Sequence, residues 1–214
     1  MIRLPLTHDH GSPPNIVSLM HEVYGGDPDL DPASHPKWND GIDPATGVKV
    51  HEGIRARRII TEEMDAHVSP WFPTLDAPRP NKLPTDRRCL PDALEGELVY
   101  CNPPNEGDGS LGAFFWITCV VYFLRGYARG VIFTGFNIEQ LARNQRIGAR
   151  SSPLKHPTIV PAERPRYLDG ETLKPQPQPM HASFITLLSH DHNHIRRFAA
   201  LCRELGDVVN VHGY

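Results

Sequence analysis

Several things are scarce in this 214-residue chain, and each scarcity excludes something. Net charge is the first: 22 Lys and Arg against 25 Asp and Glu leave −3, too balanced for a chain that meets a polyanion with its whole surface. Cysteine is the second. Cys89, Cys101, Cys119 and Cys202 show no Cys-x-x-Cys spacing, and Cys101 and Cys119 sit in apolar runs where they read as small buried hydrophobes. Long hydrophobic runs are missing too: the longest, Ala113 to Leu124, is too short to span a bilayer. The opening residues turn polar at once, so no secretory signal is expected and a reducing cytosol is the expected compartment. No internal repeat is visible. His190-Asp191-His192-Asn193-His194 lacks the Glu of a zinc-hydrolase pattern, and a third ligand would have to come from His8-Asp9-His10. A polar helix start, with Asp191 at the positive end of the dipole, accounts for it better, and no metal is expected. Ser18 and Ser110 have no nucleophile-elbow context.

Proline is in excess. The chain holds 22, about twice the average share, concentrated in two stretches expected to be loops, 69–91 and 151–179. Residues 1–214 are expected to form a single domain. Strand-like and helix-like segments alternate. A helix is expected over Pro14–Val23, then a strand from Asp29-Leu30 that Pro32 ends. Gly41 to Gly53 is turn-rich, with a hairpin tip at Asp43-Pro44-Ala45-Thr46-Gly47. Strands are expected at Ala56–Ile60, Leu98–Cys101, Val131–Gly135, Ala182–Leu188 and Val208–Val211. Gly107–Gly112 reads as a loop, Ala113–Ala128 as a buried helix, and Asn137 as the cap of another. A last helix, capped by Ser189 or Asp191, is expected to run through Leu205 to Gly206. The alternation argues for an α/β sheet.

The most informative run is Val99-Tyr100-Cys101-Asn102-Pro103-Pro104-Asn105. A short apolar strand stops at a double proline, which removes two donors and fixes the exit of the chain. Asn102 is thereby held at the carboxyl end of a strand, where open α/β sheets bind ligands. Its side-chain oxygen and the Pro103 carbonyl can each accept a hydrogen of an exocyclic amine, drawing the nitrogen lone pair out of conjugation toward an electrophile.

Other pieces stand in order around this run. They are Ser12-Pro13-Pro14, Asp29-Leu30-Asp31-Pro32-Ala33-Ser34, Asn39, Ile60-Thr61-Glu62-Glu63-Met64-Asp65-Ala66, Trp71 and Gly130-Val131-Ile132-Phe133. Together they resemble the phage DNA N-6-adenine-methyltransferase family, the Dam-like group, over about residues 12–190. The resemblance implies a class I, Rossmann-like S-adenosylmethionine-dependent methyltransferase fold, a mixed sheet with an antiparallel final strand. It implies methyl transfer from S-adenosylmethionine to the exocyclic amine of adenine in DNA, by a phage or prophage protein in a bacterial host. Asn102, Pro103, Pro104 and Asn105 would be the catalytic segment, with Asp65, the acid after the third strand, facing the base or the cofactor's adenine. Pro13, Asp31, Pro32, Ala33, Ser34 and Asn39 would bind the cofactor.

The chain departs from the family pattern twice. Asn105 stands where the family carries an aromatic that stacks on the extruded base, so a stacking face would have to come from Tyr100, Phe114, Phe115 or Trp116. Residues 31–40 contain no glycine, unlike the Gly-rich loop of many methyltransferases. The alternatives are a methyltransferase-like transferase acting on a modified base or another amine, and a degenerate DNA-binding or inhibitory protein. Charge bears on the DNA partner. Residues 1–110 hold 10 basic and 18 acidic side chains, and residues 111–214 hold 12 and 7. Arg143, Arg146, Arg150, Lys155, Arg164 and Arg166 in the second half are the expected DNA contacts.

Overall fold

Alternation along the central strands sets the architecture. In β3 (Glu97–Cys101), Leu98 and Tyr100 point to one face of the sheet while Val99 and Cys101 point to the other. In β4 (Ala128–Gly135), Ile132 faces with the first set and Val131 and Phe133 with the second. Two apolar layers result, one on each face. Strands buried on both faces read as continuous apolar runs, which is why these two were legible.

The computed structural model describes residues 10–72, 96–104, 110–135, 152–177 and 182–209. Four further strands flank β3 and β4 or pair beyond them: β1 (Leu30–Asp31), β2 (Arg58–Ile59), β5 (Thr158–Pro161) and β6 (Phe184–Ser189). A seventh, β7 (Gly206–Val209), closes the far edge, giving the order β2-β1-β3-β4-β6-β5-β7. The first four strands in that order are mutually parallel, and β6 is antiparallel to both β4 and β5. β7 is antiparallel to β5, so β6 and β7 run against the rest. The fold is α/β with a mixed sheet, compatible with a Rossmann-like arrangement, and its last strand is antiparallel.

Helix α1 (Pro14–Tyr24) and helix α4 (His192–Cys202) cover the face that carries Leu98, Tyr100 and Ile132, through Ile16, Met20, Val23, Ile195 and Phe198. Helix α3 (Ser110–Leu124) covers the other. It is apolar nearly all round because it is wrapped: Trp71 and Phe72 pack on Phe115 and Tyr122, and His156 and His190 meet Trp116 and Phe123. A short helix, α2 (Pro36–Asp40), links β1 to β2.

Several sequence expectations are corrected. Residues 110–112 belong to α3 and not to a loop, and α3 stops at Leu124, so Ala128 opens β4. The strand expected over Ala56–Ile60 is only Arg58–Ile59, because Ala56 is engaged by the Asn39 side chain. The last helix ends at Cys202, and Gly206 starts β7 rather than closing the helix. Within the proline-rich stretch 151–179, Thr158–Pro161 forms an internal strand of the sheet. The hairpin tip stands as expected, with Asp43 accepting from Ala45 N–H and from the Thr46 hydroxyl. The helix expected after Asn137 lies outside the described residues.

Candidate functional site

The chain leaves β1 through α2 to reach β2 on one side, and β3 lies on the other side of β1. The carboxyl ends of β1 and β3 therefore mark the topological switch point of the sheet, the place where open α/β sheets take ligands. Asp31 ends β1, and Asn102 follows β3 directly.

The turn after β1 is laced to the end of β2: Ile60 N–H donates to the Asp31 carbonyl at 3.0 Å and Ser34 N–H to the Ile60 carbonyl at 3.1 Å. Within the turn, Ala33 N–H donates to Asp31 Oδ1 at 3.0 Å. Asp31 is 1% exposed and Ser34 6%. Asp31 Oδ2 and Ser34 Oγ have no hydrogen-bond partner of ordinary geometry among the described residues. Burial raises the Asp31 pKa to about 7, against the Ala33 N–H bond and the nearby Ser34 hydroxyl, which lower it.

Asn102 is 8% exposed. Its Nδ2 donates to Ser12 Oγ at 2.9 Å and, at the long distance of 3.5 Å, to the His10 carbonyl. Tyr100, two residues back on the same face of β3, donates its hydroxyl to the same Ser12 Oγ at 2.7 Å. Asn102 Oδ1 has no partner among the described residues. Pro103 is buried and Pro104 half-buried, and neither carries a backbone donor. Leaving a buried acceptor unmade costs about 1–3 kcal/mol; among the described residues Asn102 Oδ1 is such an acceptor, and the Ser34 hydroxyl lies close enough to the Asp31 carboxyl to lower its pKa.

The N-terminal segment that carries Ser12 is itself clamped. Gly11 exchanges backbone hydrogen bonds with Leu168, at 2.9 and 2.8 Å, and Gln176 Nε2 meets His10 Nδ1 at 3.0 Å.

Other expected site residues take different roles. Pro13 is the N-cap of α1, its carbonyl accepting from Ile16 and Val17 N–H. The Asn39 amide is spent on the Ala56 backbone, accepting from its N–H at 2.7 Å and donating to its carbonyl at 3.3 Å. Asp65 follows β2, the edge strand, rather than a third strand. It is exposed, its backbone is left-handed at φ 54°, and Oδ1 accepts from His67 N–H at 2.9 Å. His67 stacks on Phe114 with ring centroids 3.8 Å apart. Of the aromatics expected to offer a stacking face, Tyr100, Phe115 and Trp116 are buried in the two cores, and Phe114 gives a face to His67. Asn105, Arg143, Arg146 and Arg150 lie outside the described residues. Lys155, Arg164 and Arg166 are exposed but not adjacent along the fold: Lys155 precedes β5, and the two arginines follow it.

The histidine run is split as well. His190 lies ahead of the helix, stacked on Phe123, and His194 is buried inside α4 beside Ser189 Oγ at 3.2 Å. The two therefore do not share a helix face. Among the described residues, no group of three or more His, Cys, Asp and Glu side chains is placed to hold a metal ion. No described helix is long and apolar enough to cross a membrane.

Ser12 and Tyr100 are the site residues that local reasoning did not single out for a role in positioning Asn102. The one local sign was the Ser-Pro-Pro that starts α1. Its meeting with Asn102, 90 positions away, is a tertiary fact. Comparison with known protein families, with curated proteins and with solved structures gives no match.

Proposed function

We propose that this chain is an S-adenosylmethionine-dependent methyltransferase acting on the exocyclic amine of adenine in DNA. The observation that carries the reading is the placement of the buried Asp31 carboxyl, beside the Ser34 hydroxyl, and of the buried Asn102 Oδ1 at the switch point, with no partner of ordinary geometry for Asp31 Oδ2 or Asn102 Oδ1 among the described residues. The family resemblance and the mixed sheet with opposed strands beyond β4 support it.

The donor set suits the cofactor. Asp31 and Ser34, on the turn after β1, would hold its polar end, where a cationic group would satisfy the orphaned carboxylate oxygen. When bound, S-adenosylmethionine supplies a methyl group on a positively charged sulfur as the electrophile. Asn102 Oδ1 accepts one hydrogen of the target amine and the Pro103 carbonyl the other, turning the lone pair outward. The rigid Pro103-Pro104 exit fixes these acceptors before the substrate arrives, so the contribution is one of orientation. Adenine reaches them only when swung out of the duplex.

Calorimetric titration with S-adenosylmethionine, paired with methyl incorporation into methyl-free DNA, tests the reading. Saturable cofactor binding and labelled N6-methyladenine are expected. Asn102→Ala should lower incorporation by about 100-fold or more, the order seen when one preorganised polar group at a reacting centre is removed. It should leave cofactor affinity within about 3-fold, since Asn102 is not part of the Asp31 turn. A wild-type chain that does not bind the cofactor would leave the degenerate reading standing.

Asn105, in place of an aromatic, favours a second reading, a transferase for a modified base or another amine. Incorporation into DNA carrying modified bases but not into plain adenine DNA would select it.

A further inference from the structure

We propose that this chain associates with further copies of itself head to tail, an acidic knob after β2 on one copy seating in a basic groove along α4 of the next. The inference does not rest on the function proposed above.

The knob is the loop from Thr61 to Ser69. Two turns fold it: Met64 and Asp65 N–H donate to the Thr61 carbonyl at 3.1 and 3.2 Å, and Val68 and Ser69 N–H to the Asp65 carbonyl at 3.0 and 2.9 Å. Its inner side is anchored, since the Ala66 carbonyl accepts from the Trp71 indole at 3.0 Å and His67 stacks on Phe114 of α3. Its outer side is apolar and acidic together. Met64 is 50% exposed and Val68 66%. Glu62, Glu63 and Asp65 are exposed too, with no ion-pair partner among the described residues. Large apolar side chains held out in water and rimmed by charge mark an interaction site. A loop already folded loses little freedom on docking.

The groove carries the opposite charge. It holds about 580 Å3 and is lined by His192, Ile195, Arg196, Ala199, Ala200 and Arg203. Ile195 and Ala199 give it an apolar floor, and the small side chains at 199 and 200 leave room for a Met or a Val. Arg196 and Arg203 are exposed on its rim, and neither has an acidic partner among the described residues; Arg196 donates to the neutral Asn193 amide at 2.7 Å.

Knob and groove cannot meet within one chain. The knob packs on α3, which covers one face of the sheet, and α4 covers the other. The knob also follows β2, an edge strand, whereas α4 packs on β6 and β7, four or more strand spacings away, roughly 19 Å at about 4.8 Å each. Every copy therefore carries both halves of a complementary pair on separate surfaces. Such a contact is heterologous, so each copy takes one neighbour by its knob and another by its groove, in a ring or a filament. A second copy fits the groove better than nucleic acid does, because the knob brings an apolar pair to the apolar floor as well as charge to the arginines.

Sedimentation velocity from about 10 µM to about 1 mM, the range of weak association, tests this. The wild type should grow beyond a dimer as concentration rises and fall back toward monomer in about 1 M salt, which screens exposed charges. Reversing the knob, Glu62→Lys with Glu63→Lys, should leave a monomer, as should reversing the groove, Arg196→Glu with Arg203→Glu. An equimolar mixture of the two variants should assemble again, since an acidic knob meets a basic groove at one joint and a basic knob an acidic groove at the next. Met64→Ser, an exposed change that keeps every charge, should weaken association about 10-fold, and it carries the test where a reversed variant does not fold. A wild type that stays monomeric at about 1 mM, or stops at a dimer, overturns the inference. So does assembly that the variants leave unchanged, or a mixture that stays monomeric. A groove variant that loses DNA binding but assembles as the wild type does gives the groove to nucleic acid and overturns the inference as well.

Discussion

Asp31 is a carboxyl at the end of a buried strand, with one oxygen bonded to Ala33 N–H and the other, near the Ser34 hydroxyl, without a partner of ordinary geometry among the described residues. Its folded pKa, about 7, lies above the value near 4 of an unfolded aspartate. The folded chain therefore holds this proton more tightly than the unfolded chain does. The stability linked to it is full below pH 4 and is lost as the pH rises through about 7, up to about 4 kcal/mol in all. Urea unfolding at pH 5 and pH 8 checks this. The wild type should lose stability between the two, and Asp31→Asn, which cannot ionise, should remove most of that loss. An equal loss in both proteins would show that other groups carry it. The same ionisation serves the proposed cofactor site: a cationic group brought to Oδ2 lowers the pKa, so S-adenosylmethionine should bind more tightly at pH 8 than at pH 6.

At the scale of elements, what was readable follows from how each element is stabilised. β3 and β4 are buried on both faces, so their apolar runs carried the signal, and Asn102 and Asp31 were placed by the prolines that end β3 and β1. β5 was missed because Thr158-Ile159-Val160 sits among prolines. Its β-branched residues favour a strand, but only pairing with β6 and β7 makes it one. The polar clamp around Asn102 was out of reach, since it joins the segment before α1 to β3 through contacts that no local pattern encodes. That segment depends on Gly11. A Cβ there would stand 2.4 Å from the Trp38 ring, which is buried beneath it. Gly11→Val should thus lift the segment from Leu168 and carry Ser12 off Asn102. A loss of about 1–3 kcal/mol is expected, the usual cost of overpacking a closed site. It should appear as a lower urea midpoint with an unchanged slope, and exchange at the Asn102 amide should rise in step. Normal stability with slow exchange would mean that Trp38 yields and the clamp holds without Gly11.

Over the whole molecule, the described basic side chains expected at DNA, Lys155, Arg164 and Arg166, are divided by the sheet itself. β5 runs parallel to β4 and β3, so Arg164 and Arg166, which follow it, stand at the same end of the sheet as Asn102. Arg166 lies two positions from Leu168, the residue that pairs with Gly11 beside Ser12. Lys155 precedes β5 and stands at the opposite end, about 13 Å of strand away at roughly 3.3 Å per residue. In the function proposed here, a duplex that delivers a base to Asn102 would lie across the first end, away from the second. The double variant Arg164→Ala with Arg166→Ala should therefore weaken DNA binding, and each lost phosphate contact should flatten the slope of log affinity against log salt by about 0.9. Lys155→Ala, which removes one positive charge from the far end, should leave both affinity and slope close to wild type, where either single arginine variant should not. Binding measured by anisotropy between 50 and 200 mM salt, roughly the range over which phosphate contacts dominate, separates the two. Were Lys155→Ala to cost as much as the arginine pair, DNA would have to lie across the amino end of the sheet, away from Asp31 and Asn102, and the strand ends proposed here would not be where the base is received.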